Sequence, residues 1–261
     1  MRSAADLRQR WLDGLPLMLT RAGMYAPDGR GFEMQARRLL ADLCYLDERE
    51  RDLEQVNEHI RGYGKLGVIG PFVALFSKDR DYRAEVASVY AEQFHRLGYL
   101  RLERLLDAEA WEQLTFTLRE RFDGRDVRRS EVEAAFGPPS LLVDKRILCY
   151  VPTDGPGWVF VDCYTEHFTR YVPDSGNYEW LRDDDPLVRA VRHPAADFEA
   201  GLILTRFGKV LRWGPGWWLH DLSGLSEEQQ AIAAQLRGIE ANDPSQALKP
   251  PRGHPRREPG T

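Results

Sequence analysis

The stretch Trp158-Val-Phe-Val-Asp-Cys-Tyr-Thr constrains this chain more than any other. Side chains alternate across a strand, so Trp158, Phe160, Asp162, Tyr164 and Glu166 take one face and Val159, Val161, Cys163, Thr165 and His167 the other. Near its start both faces are apolar, and such a strand belongs inside a sheet covered above and below. Upstream, Leu141–Val143 and residues 145–151 are rich in β-branched and aromatic side chains, and 152–157 is a Pro/Asp/Gly turn. Residues 136–166 therefore read as a β-hairpin with a central second strand. Its ladder sets Cys149 opposite residue 160 and Cys163 opposite Arg146, too far apart along the strands to pair.

Just before the hairpin, Ser130 caps a short helix with Glu133 returning the bond, and Gly137-Pro138-Pro139 stops it. Over about thirty-five residues this order of helix, Gly-Pro break and hairpin resembles the helix-then-hairpin unit of the β-lactamase-inhibitor-like and outer-membrane-lipoprotein modules. The resemblance implies a protein-binding role without chemistry.

Up to Gly124 the apolar period is 3.6. Ser3 caps a first helix that Pro16 interrupts or restarts. Further helices follow over 32–46, from Asp47 to about residue 60, over 81–97, and over 107–122 with Asp107 as cap. The glycine-dense Gly62–Pro71 stretch lacks the spacing of a phosphate loop and reads as a helix end and linker. Beyond Gly124 short strands dominate, the shift expected where a helical layer meets a sheet. There Asp185-Pro186 reads as a helix start, 199–207 and 209–213 as a second hairpin about Gly208, and 227–239 as a final helix. The expected architecture is α+β: a helical region 1–124, a mixed, largely antiparallel sheet region 125–240 with a C-terminal helix, and a Pro/Arg-rich disordered tail 241–261.

With 36 basic and 41 acidic residues the chain has no field to gather nucleic acid, and no run approaches the length of a membrane span. Three cysteines fit a reducing compartment, so the expected location is cytoplasmic. No CxxC, HxxxH or HExxH spacing is present, and no metal or cofactor is expected. The catalytic candidates are Asp162, Cys163, Glu166 and His167. Cys163 and His167 share a face but stand about 13 Å apart by strand rise, so a direct dyad is disfavoured, and a distant His193 or His220 is not selected by anything in the sequence.

Trp213, Trp217 and Trp218 either close the sheet or form an exposed stacking platform, with core the preferred reading. The leading functional expectation is a non-catalytic cytosolic protein-interaction or regulatory, immunity-like protein. Its contact surface would be an aromatic-rich sheet edge carrying Trp158, Tyr164, Trp180, Trp217 and Trp218, with another protein as partner. The alternative is a hydrolase or transferase built on Cys163 or on the Asp162/Glu166/His167 group.

Overall fold

The two-sided apolar strand is the middle one of a five-stranded antiparallel sheet. In chain order the strands are β1 (Leu141–Val143), β2 (Ile147–Tyr150), β3 (Val159–Cys163), β4 (His167–Val172), β5 (Asn177–Arg182), β6 (Val188–Arg192) and β7 (Leu202–Leu204). The main sheet runs β1-β2-β3-β6-β7, and β4 and β5 form a separate two-stranded sheet. The computed structural model describes residues 3–76, 81–155, 157–164, 167–172, 177–182, 184–213, 223 and 226–242, with 167–172, 177–182 and 239–242 described as backbone. All five β3 residues are buried, as a strand apolar on both faces requires.

Nine α-helices occur among the described residues. They are α1 (Ala4–Thr20), α2 (Gly29–Leu46), α3 (Glu50–Arg61), α4 (Ile69–Phe76), α5 (Arg83–Arg96), α6 (Ala108–Phe122), α7 (Arg129–Phe136), α8 (Arg206–Trp213) and α9 (Glu227–Asn242). Local chemistry sets several ends. The Ser3 hydroxyl accepts from Asp6 N–H at 3.2 Å while Asp6 accepts from Ser3 N–H at 2.9 Å, and Asp107 accepts from Ala110 N–H at 2.9 Å. One core unites α1, α2 and α5 with one sheet face through residues such as Leu19, Phe32, Tyr90, Phe94 and Phe160. On the other face Leu114, Leu118, Phe122 and Val132 of α6 and α7 cover Val159, Val161, Cys163 and Val191.

Several local expectations change. Helix α1 runs through Pro16 without a break; the ring removes one backbone hydrogen bond, and burial of Leu15, Met18 and Leu19 around it holds the helix together. Within 141–151 the chain turns back on itself: Asp144 and Lys145 have φ of 45° and 57°, Arg146 N–H donates to Val143 C=O across them at 2.9 Å, and three residues separate the paired Val143 and Ile147. Helix α7 starts at Arg129, and Glu131, not Glu133, accepts the Arg128 N–H, at 3.0 Å. Asp185 starts no helix. Its carboxylate accepts from Ser130 N–H and Oγ, both at 2.8 Å, so it caps α7 from 55 residues away, and the chain after Pro186 enters β6. The hairpin expected about Gly208 is instead β7 followed by α8, because Thr205 Oγ1 accepts the Gly208 N–H at 3.0 Å and caps a helix.

Cys149 faces Phe160, Cys163 N–H donates to Arg146 C=O at 3.3 Å, and all three cysteines are free and buried. Among the described residues no helix is long and apolar enough to cross a membrane. Of the tail 241–261 expected to be disordered, residues 241 and 242 end α9 and 243–261 lie outside the described residues, as do Trp217, Trp218, Glu166 and His220.

Candidate functional site

Strand β6 contains one irregularity, and it places a buried charge, Arg189, in the core. Asp162 pairs with Ala190 and Cys163 with Val188, so Arg189 is an extra residue in β6. Regular alternation would send Arg189 to the face of Val191, against α6 and α7. The bulge turns it to the opposite face, beside Ala190 and under α5. Its carbonyl is held by Thr205, whose N–H donates at 3.2 Å and whose Oγ1 donates at 3.2 Å, and by the close approach of Gly208.

Four charges meet there. Arg189 donates from Nε to Asp162 Oδ2 at 2.7 Å and from Nη2 to Glu85 Oε1 of α5. Arg146, from the β1–β2 turn, donates to Glu85 Oε1 at 2.5 Å and to Asp162 Oδ1 at 3.0 and 2.9 Å. Arg189 also sits 4.3 Å from the ring centre of Phe76 and 5.3 Å from that of Tyr164, and Arg146 lies 5.7 Å from Tyr164. Two carboxylates and two guanidiniums make the group neutral, which is what allows it to lie in the core. Glu85 is 0 % exposed, and among the described residues its Oε2 has no hydrogen-bond partner. Burial works to raise the Asp162 carboxyl, but Arg146 and Arg189 overcome it and hold it below the ordinary carboxylate range. The stability it lends is complete above that range and is lost as pH falls through its lowered value.

One turn further along α5 a second polar tier forms. Arg192 donates to Ser88 Oγ at 2.6 Å, with its guanidinium 4.1 Å from the Phe160 ring centre and 5.2 Å from that of Phe72. Glu92 faces Arg192, Arg96 and the Trp158 N–H, yet burial dominates and pushes its carboxyl up to about 7. A raised carboxyl costs stability as pH climbs through the interval between its ordinary value and 7, because the folded state then holds a proton the unfolded chain would release. The neutral variant Glu92→Gln is therefore expected to be more stable than the parent at pH 8 by on the order of 1–3 kcal/mol, and equal to it near pH 4. Thermal unfolding at the two pH values measures this, and an equal melting point at pH 8 would refute it.

The sequence candidates are distributed unevenly. Asp162 lies in the quartet. Cys163 is on the opposite face of β3, fully buried among aliphatic residues, and burial raises its thiol well above the ordinary range. His193 follows Arg192, which pairs with Phe160 three residues from Cys163, roughly 10 Å by strand rise. For His167 and Trp180 the structure describes the backbone. Trp158 is 4 % exposed, packed on Phe160 and His95 with ring centres 5.8 and 5.5 Å away, so it forms core and no surface; its place near the apolar start of β3 explains why. Tyr164 is half-buried over the two arginines, and Trp213 packs against the small α8–α9 core.

Glu85, Arg146, Arg189 and Arg192 escaped sequence reasoning. Glu85 and Arg189 are 104 residues apart, and no local spacing links them. The available signal was Val188-Arg-Ala-Val-Arg192, two arginines within an otherwise apolar strand. Among the described residues no group of three or more His, Cys, Asp or Glu side chains could hold a metal ion. No protein-family model matches the chain, and no curated protein or solved structure matches it.

Proposed function

We propose that this chain is a non-catalytic cytosolic protein-interaction protein, regulatory or immunity-like, whose contact element is the aromatic sheet segment that begins at Tyr164 and includes Trp180. The observation that carries the reading is that the fold engages or seals two of the catalytic candidates, Asp162 and Cys163. Asp162 accepts from two arginines, and Cys163 is sealed among valines and leucines, so neither is free to take a proton or attack a substrate. The same quartet pins the residues from which the β4–β5 hairpin departs, since Tyr164 N–H donates to Leu187 C=O at 2.9 Å just beyond it. A fixed point of departure for an aromatic segment is what a recognition element needs.

The alternative hydrolase or transferase, where it is built on Cys163, requires that thiol to reach solvent. Native protein treated with iodoacetamide is expected to leave Cys163 unmodified until denaturant is added, with mass spectrometry as the readout. Alkylation of Cys163 in the native state, at unchanged circular dichroism, would overturn the reading.

A further inference from the structure

Helix α6 packs Leu114, Leu118 and Phe122 against the sheet and presents its opposite face to solvent. On that face Phe116 is 86 % accessible, the most exposed large apolar side chain among the described residues. Helical spacing puts Glu109, Glu112 and Glu120, all exposed, on the same side, with Arg119 at its margin. Among the described residues none of these three carboxylates has an ion pair or a hydrogen bond. The face is an aromatic ring set in a row of negative charge about 16 Å long by helix rise.

The same chain carries the complementary chemistry. Residues 249–258 hold Lys249, Arg252, Arg256 and Arg257 against Glu258, interleaved with Pro250, Pro251 and Pro255. Prolines at this density favour an extended polyproline backbone, which docks its rings on aromatic side chains while guanidiniums stack beside them or meet carboxylates. From Arg252 to Arg257 such a segment spans about 16 Å, the length of the acidic row.

Connection brings the two within reach. Lys209 of α8 lies 3.2 Å from Asp123, which ends α6, and 3.4 Å from Glu228 in the first turn of α9. The start of α9 therefore sits beside the end of α6. Helix α9 is about 24 Å long, and residues 243–252 span up to about 33 Å when extended, long enough for Arg252 to return to the Glu120 end of the row.

We infer that the occupant of the α6 face is the basic, proline-rich segment 249–257 of the same chain, lying along Glu120, Phe116, Glu112 and Glu109. Exposed ion pairs of this kind are individually weak, so the contact draws on the high effective concentration of a tethered segment, and salt releases it. It uses no residue of the aromatic segment from Tyr164 to Trp180, so its failure leaves the proposed function where it stands.

The test is disulfide trapping in the full chain. Gln113→Cys sets a thiol one turn from Phe116 and His254→Cys sets one within the basic segment, while the three native cysteines are buried. In dilute protein under mild oxidation the two introduced thiols are expected to join within one chain, read by non-reducing electrophoresis and peptide mass spectrometry. Trapping is expected to slow about fivefold when Glu112→Lys and Glu120→Lys are added, at unchanged circular dichroism, and also in high salt. Arg256→Glu with Arg257→Glu, which alters no residue of a named helix or strand, is expected to slow it equally, and the two reversals combined to restore it. A trapping rate indifferent to both reversals overturns the inference, as does a failure to trap. A bond that forms only between chains takes the contact out of the single molecule and overturns it too.

Discussion

Replacing Arg189 with alanine is expected to destabilise the protein by roughly 3–5 kcal/mol, the usual cost of leaving buried charge without its partner. Two carboxylates lose a donor at once: Asp162 Oδ2, held at 2.7 Å, and Glu85, fully buried beside it. The guanidinium's contact with Phe76 at 4.3 Å is lost as well. Charge balance makes a sharper prediction. Removing Glu85 together with Arg189, as Glu85→Leu with Arg189→Leu, leaves Arg146 and Asp162 as a neutral pair bonded at 2.9 and 3.0 Å. The double variant should therefore be more stable than Arg189→Leu alone, and the two changes should couple by about 1–3 kcal/mol. Denaturant unfolding of the single and double variants measures it, and strict additivity would mean that the quartet does not act as a unit.

The second large effect is expected at Gly208, where alanine should cost about 3 kcal/mol. The sign is the point, for glycine to alanine within a helix ordinarily stabilises by about 1 kcal/mol. Here a Cβ would fall inside the van der Waals envelope of the Arg189 carbonyl oxygen, a backbone atom that cannot swing aside. Relief requires α8 to move away from the bulge or the bulge to shift, and either change disturbs the hydrogen bonds from Thr205 to Arg189 C=O, both 3.2 Å. Chemical denaturation of Gly208→Ala measures the loss. If the variant matches or exceeds the parent in stability, the close packing of α8 on β6 is not what holds Arg189 in place.

How much of this was legible beforehand varies with the range of the interaction. Caps that act within three residues, such as Ser3 with Asp6 or Asp107 with Ala110, are visible in sequence because both partners travel together. Asp185 misled for the opposite reason: an Asp-Pro step offers the same carboxylate to any nearby helix terminus, and α7 occupies it from 55 residues away. Thr205 and Gly208 were read as part of a hairpin because Leu202–Leu204 is a strand, and the helix that follows depends on a serine-like cap within an apolar run.

By itself the sequence determined that β3 would be central and covered twice, since a run apolar at both parities has no other stable place. It also determined the helical first half, the free cysteines and the ladder that separates Cys149 from Cys163. Only the tertiary structure decided which charges meet in the interior. One extra residue in β6 inverts a side chain's face, and strand alternation read from sequence assumes that no such residue exists. Ion pairing across 104 residues is then a property of how α5 lies on the sheet, and no local pattern encodes it.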